Sequence, residues 1–284
     1  MGQLLLAKPY VDKRKKELKE EIIKYGLKPK LVIVRVGDDY ASKKYVTNKV
    51  KLGTECGVEV EVLHLLEEIS QEDLLNEIQN INLRDDISGC LIQLPLPKHI
   101  NENLVLETLK PELDVDGFAR NNLGGLLRGE KTITACTPKG IINLLKYYNI
   151  PMEGKDVLII NRSTIVGKPL ALLFLQENAT VTIAHSKTTF LYRKIKEADI
   201  VITAIGKANS FYYGDFRDNQ TIIDVSINFD LEGKLCGDVY KGDYEDLTKY
   251  KDCNITPVPG GVGPLTVLSL IENVIELEKV KNNL

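Results

Sequence analysis

Short unbroken runs of branched apolar residues recur along the chain, and most are followed by a polar break and then by apolar positions three and four apart. Leu31 to Val36, Val58 to Leu63 and Gly89 to Leu94 are such runs in the first half. Val157 to Ile160, Val181 to Ala184, Ile200 to Thr203, Ile222 to Val225 and Ile255-Thr256 are their counterparts in the second. Runs this apolar predict parallel strands covered on both faces, joined by crossover helices. Helices are predicted over Val11 to Tyr25, Ser42 to about Leu52, Gln71 to Ile78, Glu102 to Leu109, Pro138 to Tyr148, Gly167 to Leu175 and Leu265 to Val280. Thr137 is read as the N-cap of the Pro138 helix, with the proline at its first position. No solenoid period or low-complexity tract interrupts the alternation. The expected fold is therefore α/β with two domains. Residues 1–136 plus 265–284 form one, and residues 137–264 form a Rossmann-like parallel-sheet domain. The glycine-rich stretch Pro111 to Gly129 leads from the first to the second, and the C-terminal helix returns to the first.

Composition narrows the classes of function. With 43% hydrophobic and 27% charged residues over 284 positions, there is material for two ordinary cores. A net charge of −3 supplies no electrostatic footprint for nucleic acid or an anionic membrane, which points to a small-molecule partner. The five cysteines (Cys56, Cys90, Cys136, Cys236, Cys253) are scattered without a C-x-x-C pair, as free thiols in a reducing, cytoplasmic compartment would be. Only His64, His99 and His185 are present, so no metal is expected. The opening MGQLLLAKPY lacks a basic leader before a long apolar core, and Leu6 stands where a myristoylation signal wants Ser or Thr. No run reaches the roughly 18 apolar residues of a membrane span.

Candidate chemistry gathers where strands end. Lys155 to Leu175 reads as strand, tight turn and helix, a phrase that sets backbone N–H groups and a helix N-terminus beside a pyrophosphate. Asn161, Ser163 and Gly167 are only a loose relative of G-x-G-x-x-G, and an ordinary βα turn is the alternative. About twenty residues on, where an acid would bind the ribose 2′-hydroxyl, stand His185, Ser186 and Lys187, with Arg162 in the first turn. That set suits a 2′-phosphate, favouring NADP over NAD, although His185 also reads as a capped surface histidine. Tyr45 and Lys49, four apart, share a helix face. The same Y-x-x-x-K pair marks short-chain dehydrogenases, but there it follows the nucleotide-binding turn and here it precedes it. A surface tyrosine with a solvated lysine is the plain alternative. Gln93 sits where a parallel strand meets its loop and can serve the local backbone or a ligand. Asp116 precedes Gly117 and can form a turn or grip a planar donor pair on a pterin edge, with Asp114 close enough to be mistaken for it.

In this order the residues resemble the bifunctional FolD family of methylenetetrahydrofolate dehydrogenase and methenyltetrahydrofolate cyclohydrolase. The likeness runs through Y-V-T-N-K from Tyr45, Q-L-P-L-P from Gln93, D-V-D-G-F from Asp114, T-P-K-G from Thr137, R-S-T-I-V-G-K-P from Arg162, H-S-K from His185 and P-V-P-G-G-V-G-P-L-T from Pro257. The last stretch opens with three glycines and three prolines in eight residues.

The resemblance implies NADP-dependent oxidation of 5,10-methylenetetrahydrofolate, hydrolysis of the methenyl product to 10-formyltetrahydrofolate, and a homodimer paired through the nucleotide domain. It assigns Lys49 as general acid/base, Gln93 as its orienter, Tyr45 as a ring stacked on the folate and Asp116 as the holder of the pterin edge. Leu94, Pro259, Gly260 and Gly261 complete the substrate set. Thr137, Asn161, Arg162, Ser163, Ile165, His185, Ser186, Ile227, Gly263 and Thr266 form the cofactor set. Gly260, Gly261 and Gly263 are expected to be glycine so that backbone can approach the ligands. Asn161 replaces the family's usual glycine and is expected to take a left-handed conformation with its side chain towards the pyrophosphate. A dehydrogenase-only relative and a non-catalytic nucleotide sensor are the rival readings, and Lys49 beside Tyr45 and Gln93 speaks against the first.

Overall fold

The computed structural model describes residues 2–284, apart from the side chain of Ala41, so Met1 of the opening segment lies outside it. The first helix, α1 (Ala7–Tyr25), precedes β1 (Lys30–Val36), α2 (Tyr40–Cys56), β2 (Glu59–Leu65), α3 (Gln71–Asn82), β3 (Gly89–Ile92), α4 (Glu102–Thr108) and α5 (Arg120–Arg128). The second half carries α6 (Cys136–Tyr147), β4 (Asp156–Ile160), α7 (Gly167–Gln176), β5 (Thr180–Ala184), α8 (Leu191–Glu197) and β6 (Ile200–Thr203). It continues with β7 (Thr221–Asp224), β8 (Asn228–Phe229), β9 (Leu235–Cys236), α9 (Tyr244–Tyr250), β10 (Asn254–Ile255) and α10 (Val262–Lys281). The chain divides into two compact units, residues 13–136 with 267–284, and residues 137–266 with the N-terminal segment up to Asp12.

In the first unit a three-stranded parallel sheet has the order β2-β1-β3. Because Cβ atoms alternate along a strand, Val32, Val34 and Val36 point to one face and pack with Leu74, Ile78 and Ile81 of α3 and Val105 of α4. The opposite face is covered by α2 and α10. A Cβ on Gly53 of α2 would sit 2.7 Å from Val60 and 3.3 Å from Ile271, so glycine lets helix and sheet close. In α10 every residue from Leu268 to Ile275 is buried, including the polar Ser269, Glu272 and Asn273. Buried polar groups need partners, and Glu272 finds Arg14 at 2.8 Å.

The stretch expected to be a passage contains a helix, α5. Asp114 organises its entry. One carboxylate oxygen accepts from Gly117 N–H at 3.0 Å, and the other accepts from Ala119 N–H at 2.6 Å and Asn122 Nδ2 at 3.0 Å. The helix then ends on Gly129, whose φ of +73° forms a left-handed cap. Asp114 is 5% exposed, so Asp114→Ala strands three buried donors and is expected to cost about 3 kcal/mol, read as a fall in the unfolding midpoint.

The second unit is a five-stranded parallel sheet, β10-β7-β6-β4-β5, with a separate antiparallel hairpin of β8 and β9. Here α7 packs on β4 and β5, while α8 packs on β4. Leu158, Ile160, Val201, Ile222 and Ile255 carry a core shared with Ile195, Phe211, Phe216 and Leu247. The N-terminal segment belongs here rather than with the first domain as expected. Ile255 N–H donates to Gln3 O at 3.0 Å and Leu5 N–H to Ile255 O at 2.8 Å, so the segment adds to the edge of β10.

Both sheets double back beside a central strand, which opens a crevice at that strand's C-terminal end where α/β proteins keep ligands. In the first unit the strand is β1, flanked by β2 and β3. In the second it is β4, flanked by β5 and β6.

Candidate active site

Helix α2 follows β1 and carries Tyr45 and Lys49 one turn apart. Gln93 comes directly after β3, its N–H bonded to Val34 O at 2.9 Å, so the sheet itself places it at the crevice. The Gln93 side chain is buried at 8% exposure. Its Nε2 donates to Leu94 O at 2.6 Å, which fixes the amide so that Oε1 accepts from Lys49 Nζ at 2.9 Å. The reversed amide would set two donors face to face. Gln93 therefore bonds its own backbone, as one of its two sequence alternatives had it, and Lys49 at once.

Asp116 lies on the loop between α4 and α5, half-buried, and Leu94 is half-buried beside Gln93. Burial pushes the Asp116 carboxyl up to about 6, against the pull of the Lys49 ammonium, with Asp114 adding a further push. Burial also lowers the Lys49 ammonium from its ordinary value, opposed by the Asp116 charge. Burial thus works against the charged form of both groups, while each charge supports the other. The oxygens of Asp114 are taken up by its own loop. Tyr45 stays 43% exposed on the Lys49 side of α2, leaving a ring face open to a ligand. Cys136 reaches Asp116 Oδ1 at 3.6 Å, a contact that sequence reading missed although the residue adjoins Thr137.

In the second unit the turn after β4 is built by Asn161. Its Oδ1 accepts from Ser163 N–H at 2.8 Å, Ser163 Oγ at 2.7 Å and Gly167 N–H at 3.1 Å, while Nδ2 donates to Ala204 O at 2.7 Å. Asn161 is not among the residues with positive φ. The expected left-handed asparagine with its side chain outward is corrected: the side chain folds into the turn and ties it to the loop after β6. At Gly167 an added Cβ would lie 2.2 Å from Asn161 O, so glycine lets the helix start press against the strand end. Arg162 and Ile165 are exposed on the turn and Ser163 is half-buried.

His185 and Ser186 follow β5, which pairs with β4, so both stand at the same end of the sheet as the turn. Lys187 N–H donates to His185 Nδ1 at 3.2 Å, which leaves the ring proton on Nε2. Arg162 and the ammonium of Lys187 have no partner among the described residues, so their charge is open to an anion. Ile227 is exposed next to Gly263, where an added Cβ would come to 3.6 Å from its Cδ1. Thr137 is not an N-cap, since α6 begins at Cys136. Its hydroxyl instead bonds Thr266 Oγ1 at 2.9 Å.

The loop Pro257 to Pro264 needs glycine for reasons within itself. Gly260 has φ +108°, which disfavours any side chain, and a Cβ on Gly261 would lie 2.7 Å from Pro257 O. At Gly263 the protein offers ordinary room, so of the three glycines it is the one not explained by crowding within the protein. Pro259, Gly260 and Gly261 belong to the second unit, whereas Tyr45, Gln93, Leu94 and Asp116 belong to the first.

Residues 5–116 match the family "Tetrahydrofolate dehydrogenase/cyclohydrolase, catalytic domain", and residues 135–282 match its NAD(P)-binding domain. The chain belongs to the tetrahydrofolate dehydrogenase/cyclohydrolase family. Among its relatives, the bifunctional protein FolD of Lysinibacillus sphaericus is 46% identical over 90% of this chain and 89% of that protein. The crystal structure of the bifunctional enzyme FolD from Campylobacter jejuni superposes with a TM-score of 0.93 at 40% identity, covering 100% of both chains. The Trypanosoma brucei enzyme, solved with NADP cofactor and inhibitor, gives a TM-score of 0.91 at 30% identity over 100% of this chain and 99% of that one. Among the described residues no group of His, Cys, Asp or Glu is placed to hold a metal ion, and no helix is long and apolar enough to cross a membrane.

Proposed function

We propose that this chain oxidises 5,10-methylenetetrahydrofolate with NADP and hydrolyses the 5,10-methenyl product to 10-formyltetrahydrofolate. The observation that carries this reading is the bond from Lys49 Nζ to Gln93 Oε1 at 2.9 Å, with Asp116 close enough to shift the lysine. A dehydrogenase alone has no need of an oriented, partly desolvated amine, and a nucleotide sensor has no need of the group at all.

Asp116 holds the amidine edge of the pterin through two charge-assisted hydrogen bonds, and Tyr45 stacks on the ring. NADP, when bound, accepts the hydride from the one-carbon bridge. Once the Asp116 charge is engaged by the pterin, less of it supports the ammonium, and desolvation shifts Lys49 towards its neutral form. Neutral Lys49 takes a proton from the water attacking the methenyl carbon. It returns that proton to the ring nitrogen released as the carbon–nitrogen bond breaks, and the remaining hydroxyl proton leaves as the formyl group forms. Gln93 keeps the amine aimed throughout.

The nucleotide turn fits NADP in its donor set. Gly167 and Ser163 supply the tight turn at the α7 N-terminus, and Arg162, Ser186 and Lys187 would hold the 2′-phosphate. Arg162→Ala is expected to weaken NADP about tenfold while NAD changes little. Equal losses for the two, measured as KM, would remove the 2′-phosphate assignment.

We also infer that two copies pair through the nucleotide unit. Phe229 and Leu231 of the β8–β9 hairpin are exposed apolar side chains that pairing would cover. Leu231→Glu should then shift the chain towards monomer in sedimentation, and an unchanged mass rules this contact out. The five cysteines, all free and buried, are in keeping with a reducing cytoplasmic setting.

A further inference from the structure

Behind Asp116 lies a buried arrangement that the reaction as described does not use. Asn273 of α10 is fully buried, and its Nδ2 donates to Val115 O at 2.8 Å and Thr134 O at 3.0 Å. The same nitrogen stands 3.7 Å from Cys136 Sγ. One amide thus ties the residue before Asp116 to the segment that leads into α6 at Cys136. The two segments are already pressed together at Gly117, where a Cβ would come within 2.7 Å of the Thr134 carbonyl carbon and 2.8 Å of Ala135 N. Cys136 Sγ in turn lies 3.5 Å from Val115 O and 3.6 Å from Asp116 Oδ1. A buried amide costs stability unless each donor is satisfied. Here its donors are spent on holding the loop that presents the carboxylate.

We infer that Asn273 and Cys136 are positioning residues for Asp116: the amide clamps the two carbonyls and satisfies Val115 O, which leaves the thiol's one proton for Oδ1, so that the carboxylate is held for the pterin edge. The inference rests on the reading of Asp116 as the pterin anchor. A thiol donor stabilises the ionised carboxylate, the only form that can accept from both amidine donors. The other groups acting on Asp116 are Lys49 from α2 and Asp114 from its own loop, and Cys90 of β3 feels the Asp116 charge. Lys49 favours the ion and Asp114 opposes it, so loss of the thiol donor tips the carboxyl towards its neutral form.

The test is the pH dependence of the folate KM in the full-length chain, for Cys136→Ala, Cys136→Ser, Asn273→Ala and Asp116→Asn. In the unaltered chain affinity falls as pH drops through about 6, where Asp116 takes up a proton. Cys136→Ala should move that inflection up by about one pH unit, raising the folate KM about twofold at neutral pH and towards about tenfold below about pH 6, with the NADP KM unchanged. Cys136→Ser, which keeps a donor, should restore both. Asn273→Ala should act in the same direction, and if it fails to fold the cysteine pair still decides. A structural role for Cys136 would lower thermal stability without moving the inflection, and that outcome, with Asp116→Asn raising the KM, overturns the inference. An unchanged KM in Asp116→Asn overturns the anchor reading itself.

Discussion

Replacing Lys49 by methionine is expected to lower hydrolysis of the methenyl compound by about a thousandfold while NADP binding stays as in the unaltered chain. Methionine matches the length and apolar body of the lysine stem, so the helix face of α2 is kept and only the proton carrier is lost. Gln93 Oε1 then loses the donor at 2.9 Å, a modest penalty for an acceptor at the edge of a crevice. The unaltered chain should show a rate that rises with pH as Lys49 gives up its proton. Its midpoint lies below the ordinary lysine range because burial disfavours the ammonium. The sign follows from the role: a base works only in its neutral fraction, which grows as pH increases. The methionine variant should lose that rising limb. A variant that hydrolyses the methenyl compound at the original rate, with the limb intact, would remove Lys49 from the chemistry.

Gly167→Ala should have the second largest effect, on the nucleotide unit. The new Cβ would stand 2.2 Å from Asn161 O and 2.5 Å from Asn161 C. Both are backbone atoms at the end of β4, and neither can turn aside as a flexible side chain would. The α7 start must move away, stretching the bond from Gly167 N–H to Asn161 Oδ1 at 3.1 Å. Overpacking of this kind costs about 3 kcal/mol, so the NADP KM should rise roughly a hundredfold if the strain is relieved in the turn. Folate binding, which we propose rests on Asp116 and Tyr45 of the other unit, should be spared. A KM and an unfolding midpoint equal to those of the unaltered chain would show that the turn has slack the geometry does not reveal.

Strands were legible because β1, β4, β6 and β7 are buried along almost their whole length and are mostly apolar, with Arg35, Thr203, Thr221 and Asp224 as buried polar exceptions. Helix α10 was legible for the same reason, although it begins at Val262, inside the glycine-proline loop rather than after it. What escaped reading was decided by tertiary contacts. Gly124 and Gly125 made the sequence of α5 look like a linker, yet Asp114 anchors its first turn and the cost of two glycines is met there. Asn161 was judged by its backbone tolerance, whereas its side chain proved to be the part that matters. Thr137 carries a capping residue type but gives its hydroxyl to Thr266, a partner more than a hundred positions away. Asn273 did leave a trace, as a polar residue between Ile271 and Val274 in a buried stripe. A buried amide at such a place implies backbone carbonyls waiting for it, and the carbonyls here flank Asp116.

Lys49, Gln93 and Asp116 were each open to a plain structural reading, and the bond of Lys49 to Gln93 beside the Asp116 charge is what supports the functional proposal. Gln93 shows why such residues are ambiguous in sequence: the local backbone bond from Nε2 to Leu94 O is real, and it is also what aims the other end of the amide.

The most direct measurement follows NADPH and the methenyl chromophore together after the unaltered chain is mixed with 5,10-methylenetetrahydrofolate and NADP. NADPH should form, and the methenyl signal should rise briefly, stay well below the NADPH formed and decay as 10-formyltetrahydrofolate appears. Methenyl compound accumulating one for one with NADPH, or no NADPH at all, would contradict the account.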